Sequence, residues 1–183
     1  MNDAHPRNFR LHYLDEPVLR QKSEPVRAFG DAERALVEAM AELMVLHRGV
    51  GLAAPQAGVP ARIILVHPSL LPAGADTILV NPEIISAADE TLVEEEGCLS
   101  LLSIASALAR PAKVVVRYRN PAGETREAEA EGLGARALLH EIDHLNGVLY
   151  IDHLSRLKRK LVSDRFRKLY RELGLDQERP AGG

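Results

Sequence analysis

The run HEIDH, His140 to His144, constrains this chain more than any other feature. Two imidazoles four residues apart share one face only on a helix. There, four residues turn the chain by about 400° and leave the Cβ atoms roughly 5–6 Å apart. At that separation both rings can grip one divalent cation. Glu141, between them, points to the side, where a carboxylate reaches a metal-bound water without ligating the metal itself. The pattern is that of metal-assisted hydrolysis, with the glutamate taking and later returning a proton. Asp143 reads equally as a partner that orients a histidine and as a solvated helix charge. Asn146 reads as surface.

The rest of the fold has to be built around that helix. The segment LGARALLHEIDHLNG predicts a helix closing at Gly147, a residue suited to a helix C-terminal cap. Upstream, Leu36, Met40, Leu43 and His47 recur at spacings of three and four, which predicts an amphipathic helix over residues 31–47, ending at Gly49. The stretch GVGLAAPQAGVP, marked by Gly and Pro, is irregular or extended. Runs rich in β-formers follow at residues 62–66, 77–85, 91–95 and 113–118, and NPAG reads as a turn into a returning strand at ETREAEAEG. A last helix is predicted from about residue 154 to 173, with residues 174–183, ending in ERPAGG, as a frayed tail. Strands between helices predict an α+β fold. Its antiparallel strands pack around the central HExxH helix, with an amphipathic N-terminal helix and a C-terminal helix. At 183 residues, the whole of 1–183 is expected to form one domain.

Composition narrows the functional classes. The chain is 46% hydrophobic and 27% charged with a net charge of -3, an ordinary globular balance that gives no reason to expect DNA as a partner. No apolar run approaches the roughly 20 residues that span a bilayer, so no membrane partner is expected. The polar, acidic start reads as neither a secretory signal nor a transit peptide. The single cysteine, Cys98, excludes an internal disulfide and fits a reducing, cytoplasmic setting.

The third metal ligand is the open question. One extended protease signature reads H-E-x-x-H-x-x-G-x-x-H. Gly147 is in place here, but Tyr150 occupies the final ligand position, where a phenol is a poor substitute for imidazole. His153 lies three residues too far along. The other candidate is Cys98 in EEEGCLS, which follows a Glu-Gly pair on a predicted strand, where glycine permits close backbone approach. A free cysteine is as readily a small buried hydrophobe, and the residues alone leave both readings open.

Three segments together carry a resemblance. GVGLAAPQ (Gly49 to Gln56), EGCLS (Glu96 to Ser100) and HEIDHLNG (His140 to Gly147) resemble the three motifs of the peptide deformylases, in order and approximate spacing. The similarity extends to DEPVLRQKSEPV, LVNPEI and YIDHLSRLKRK. It implies that Cys98, His140 and His144 bind one divalent metal, most commonly Fe(II), with Zn, Ni or Co also compatible with one sulfur and two nitrogens. It implies Glu141 as the acid/base that removes the formyl group from the N-terminal formyl-methionine of nascent polypeptides. It further implies that the Gln56 side chain and the Leu99 backbone N–H donate to the oxygen that develops charge. Gly49, Val50 and Gly51 would line a site where substrate adds as a strand. Val50 and Leu133 would wall the methionine pocket, with core packing an equal reading for Leu133, and Arg110 would join the substrate-binding residues.

The chain also departs from that pattern. Leu139 stands where the relatives usually have glutamine, His47-Arg48 is unusual, and LLSIASALA at residues 101–109 lacks the proline, glycine and arginine typical there. A retargeted or non-catalytic relative is therefore one alternative, and an HExxH metalloprotease another. From Ser155 to Arg171 there are eight Lys/Arg against one Asp. This run reads as a solvated face or as a surface for docking on ribosomal RNA.

Overall fold

In the strand Ile63–Val66 (β2) all four side chains are buried, because helices cover both faces of the sheet that contains it. The computed structural model describes residues 9–176. Helix α1 (Asp31–Leu46) is followed by β1 (Gly51–Ala53), β2, β3 (Ile78–Ala87), β4 (Thr91–Gly97), β5 (Ala105–Pro111), β6 (Lys113–Arg119) and β7 (Thr125–Glu131). Helices α2 (Gly132–Leu145) and α3 (Arg156–Glu172) complete the order. Five strands form an antiparallel sheet in the order β1-β2-β3-β6-β7, and β4 pairs with β5 in a separate antiparallel ribbon.

Alternation along β2 sorts the core into two layers. Ile64 and Val66 meet Leu138, Ile142 and Leu145 of α2, while Ile63 and Leu65 meet Leu36, Val37 and Met40 of α1. A third cluster joins Leu108 of the ribbon, and Leu101 and Ile104 of the turn between its strands, to Tyr150, Ile151, Val162 and Phe166. Helix α2 thus runs between the sheet and the ribbon. Its end is set by Gly147, at φ +73°, where an added Cβ would lie 2.6 Å from the Arg20 carbonyl oxygen. Only glycine fits both the left-handed conformation and that approach.

The α+β architecture is the one expected from the sequence. Boundaries differ in detail. The first helix stops at Leu46, with His47 rather than Gly49 at its cap. The third begins at Arg156 behind the Ser155 hydroxyl, which accepts the Lys158 N–H. The expected tail does not fray at residue 174: the Gly174 and Leu175 N–H groups bond to the Arg171 and Tyr170 carbonyls at 3.0 and 3.2 Å. ERPAGG lies outside the described residues. Strand β5 falls where the sequence predicted none. Among the described residues no helix is long and apolar enough to cross a membrane.

Candidate metal centre

Cys98 follows directly on β4, and His140 and His144 lie one turn apart in the C-terminal half of α2. The Cys98 Sγ is 3.2 Å from His144 Nε2, and ligand atoms of Cys98, His140 and His144 all lie within 4.8 Å of one another. All three side chains are buried. The turn that presents the sulfur is tight: the Cys98 carbonyl accepts the N–H groups of Leu101 (3.0 Å) and Ser103 (2.9 Å). Leu102 and Ser103 sit at φ +54° and +57°, a strained region for residues with a side chain.

These residues fit a divalent transition metal. One thiolate and two imidazoles are a soft-to-borderline donor set of the kind found in three-ligand catalytic sites. Beside them, Glu141 Oε2 and His144 Nδ1 are buried without a protein hydrogen-bond partner. A buried carboxylate oxygen left unpaired is costly. Such an atom makes sense where a reacting group is to meet it.

Glu96 organises the far side of the site. Its carboxylate lies 2.7 Å from His140 Nδ1 and accepts Arg110 Nε (3.0 Å), Arg110 Nη2 (2.7 Å) and Arg136 Nη1 (2.9 Å). With Nδ1 so engaged, His140 Nε2 is the nitrogen left for the cluster. Burial opposes a charge on Glu96, but His140 and Arg110 outweigh it and hold the carboxyl well below the usual carboxylate range. Burial pushes Glu141 up to about 7, with His140 opposing and Glu96 adding to the rise. Burial and then His140 keep His144 well below the imidazole range, in the neutral form that ligates metals. Burial works against a charge on His140 as well, yet Cys98 and Glu96 outweigh it and hold that ring above the range.

The glutamine is aimed. Gln56 is buried in the 3-10 turn Ala54–Ala57, and its Oε1 accepts the Ala53 N–H at 2.8 Å. That anchors the amide so that Nε2 donates to Ser100 Oγ at 3.1 Å and lies 3.6 Å from Cys98 Sγ. Leu99 opens the next 3-10 turn, immediately after the cysteine. The first motif presses on both: a Cβ on Gly49 would lie 2.7 Å from Leu99 Cδ1, and one on Gly51 would lie 2.5 Å from Glu141 Oε1. Val50 is half exposed beside them. Leu133 is 53% exposed, which removes core packing as its explanation.

Arg110 requires a correction. Expected among the substrate-binding residues, it is buried, and its guanidinium turns inward to Glu96 and to Asp143 Oδ2 (2.8 Å). Strand alternation explains this: Leu108 and Arg110 face in, while Ala105, Ala107 and Ala109 face out. Asp143, accepting Arg110 and lying 2.8 Å from His153 Nε2, is a partnered charge rather than a solvated one. His153 stands with Asp143, outside the cluster. Tyr150 donates its hydroxyl to the Ile104 carbonyl at 2.7 Å and stacks on the His140 ring, so it braces a ligand and supplies none. Leu139 belongs to the apolar cluster on the sheet. Arg136 was not anticipated. It donates to Glu96 and to the Leu108 and Leu92 carbonyls, tying the ribbon to α2. Its spacing of four before His140 was the available signal.

Comparison with known proteins agrees with this geometry. The model of the polypeptide deformylase family matches residues 9–160. The peptide deformylase of Bartonella bacilliformis is 42% identical over 175 residues, 92% of this chain and 96% of that protein. The crystal structure of a peptide deformylase from Legionella pneumophila superposes with a TM-score of 0.83 at 36% identity, covering 94% of this chain and 99% of that one. A peptide deformylase from Synechococcus elongatus in complex with actinonin gives 0.79 at 36% identity, covering 88% and 89%. Three motifs meeting around one sulfur and two imidazoles, on a fold shared almost end to end, place the chain in the polypeptide deformylase family.

Proposed function

We propose that this protein removes the formyl group from the N-terminal formyl-methionine of newly made polypeptides, in the cytoplasm, with residues 1–183 acting as one domain. The observation that carries the reading is the meeting of Cys98, His140 and His144 beside a buried, unpartnered Glu141 carboxylate oxygen. In this reading Cys98, His140 and His144 hold one divalent cation, Fe(II) first and Zn, Ni or Co as compatible substitutes. That ion supplies Lewis acidity and makes water acidic near neutral pH.

Glu141 takes a proton from the attacking water and passes it to the leaving amine. Water's oxygen bonds to the formyl carbon, the C–N bond breaks, and formate and a free amino group leave. A carboxyl raised to about 7 exchanges protons in both directions near neutrality. Gln56 Nε2 and the Leu99 backbone N–H donate to the formyl oxygen as charge develops on it. The Ala53 N–H on Gln56 Oε1 keeps that amide from flipping. Strand β1 is an edge of its sheet. Gly49, Val50 and Gly51 offer it to the peptide as a strand partner, and half-exposed Val50 and Leu133 wall the methionine side chain. Arg110 has no part in this binding. The basic stripe of α3 is the surface for ribosomal RNA, a contact that salt should weaken. Absent or salt-insensitive co-sedimentation with ribosomes would contradict it.

The test is formate release from a formyl-Met peptide by anaerobically prepared protein of measured metal content. Release blocked by actinonin is expected. Cleavage of the peptide bond instead would favour a metalloprotease, and bound metal with neither reaction a retargeted relative. Gln56→Ala should lower turnover by about 10² to 10³, as loss of one oxyanion donor does; near-normal turnover would remove Gln56 from the mechanism.

A further inference from the structure

The two proposed donors to the formyl oxygen come from separate loops, each a single 3-10 turn: Ala54–Ala57 for Gln56 and Leu99–Leu101 for Leu99. One stretch of chain fastens both. Along residues 10–16, the His12 N–H donates to the Gln56 carbonyl at 2.8 Å and the Leu14 N–H donates to the Ser100 carbonyl at 2.9 Å. Leu11 packs in the cluster beneath α1 and Leu14 in the cluster of the ribbon, so the strap bridges two layers of the core. The loop after Gln56 is moulded to it: a Cβ on Gly58 would lie 2.5 Å from His12 Nε2.

The strap is itself tied by one carboxylate. Glu16, 7% exposed, accepts Arg10 Nη1 (3.0 Å), Arg10 Nη2 (2.6 Å) and the Tyr13 N–H (3.0 Å), and lies 2.7 Å from His12 Nδ1. Four contacts to three residues of the same short stretch give it one shape. We propose that Glu16 is a positioning residue for catalysis: its carboxylate fixes the strap at residues 10–16, and the strap sets the Gln56 turn and the Leu99 turn at the spacing that aims both donors. The proposal rests on the reading of Gln56 as a donor. Its physical basis is that a donor displaced by about 1 Å loses most of its effect on a developing charge.

The experiment is a double-mutant cycle on the metal-loaded protein, measuring kcat, KM and metal content with a formyl-Met peptide for wild type, Glu16→Gln, Gln56→Ala and the double variant. Glu16→Gln should lower kcat about ten-fold at unchanged KM and metal content, and in the Gln56→Ala background the same change should cost clearly less than that factor, only the Leu99 share of the loss remaining. Normal kcat in Glu16→Gln, or losses that multiply in full in the double variant, would overturn the strap's role. Should Glu16→Gln fold poorly, Arg10→Met removes the bidentate partner from a side chain 44% exposed and enters the same cycle with the same two outcomes. A slow Gln56→Ala beside a normal Glu16→Gln overturns the strap alone. Normal turnover in Gln56→Ala overturns the donor reading and the strap's role with it.

Discussion

On one side of α2, Leu138, Ile142 and Leu145 pack against Ile64, Leu79 and Val116, apolar side chain against apolar side chain. On the other side, Arg136, His140 and His144 face the β4–β5 ribbon through Glu96, Arg110 and Cys98. At about 100° per residue the two triplets fall on opposite faces of one helix. Both faces are buried, but burial does different things to them. Apolar area removed from water stabilises the sheet side by roughly 25 cal/mol per Å². On the ribbon side each buried ion costs several kcal/mol of desolvation before its partners compensate, so that layer adds little net stability. What it supplies is orientation: Glu96 dictates which nitrogen of His140 faces the cysteine.

Substitutions on the two faces should therefore fail differently. The largest effect belongs to Glu141. Glu141→Ala should lower turnover by about 10² to 10⁴ at unchanged metal content and with no loss of thermal stability, since it removes an unpartnered buried carboxylate oxygen. Loss of metal would contradict its position beside the ligands. Next comes Glu96→Gln, which takes from Arg110 and Arg136 the buried carboxylate they share. Chemical denaturation should show a loss of about 3–5 kcal/mol, and competition with a chelator a metal affinity weaker by about 10- to 100-fold. Leu138→Ala sharpens the contrast from the apolar side. It should cost about 2–5 kcal/mol yet leave metal affinity and turnover of the folded protein as they were. A Leu138→Ala protein that loses metal would mean that the two faces are not independent.

The smallest effect concerns acid. Burial resists a charge on Glu16, but its bonds from Arg10, then Tyr13 and His12, outweigh that and lower its pKa to about 2 from an ordinary 4.5. Because the folded value lies below the unfolded one, the group stabilises the fold above pH 4.5. That contribution is lost as the pH falls from 4.5 towards about 2. Melting curves of wild type and Glu16→Gln should converge over that window; a constant gap would show that Glu16 is not titrating there.

Much of this was legible in the sequence. Periodicity of three and four gave α1, the HExxH spacing closing at Gly147 gave α2, runs of β-formers located β2, β3, β4 and β6, and the NPAG turn located β7. Strand β5 escaped because ASALARP has neither β-branched residues nor alternation of type. It is a strand because each of its residues, from Ala105 to Pro111, pairs with one of β4. The inward turn of Arg110 was hidden for the same reason, since only the pairing shows which side faces α2. Tyr150 at a ligand position could be discounted from its phenol and His153 from its spacing. The residues alone could not decide whether Cys98 was a ligand or a buried hydrophobe, because a contact across 46 positions to His144 depends on the ribbon's register. Glu16 falls in the DEPVLRQKSEPV similarity, but nothing in that segment points to a strap. The strap is made of backbone bonds to Gln56 and Ser100, which leave no trace in residue type.

The central claim is that Cys98, with His140 and His144, holds the metal. X-ray absorption at the metal edge of anaerobically loaded protein tests it most directly. One sulfur and two imidazole scatterers are predicted, with the sulfur contribution lost in Cys98→Ser. A wild-type coordination sphere without sulfur would contradict the account.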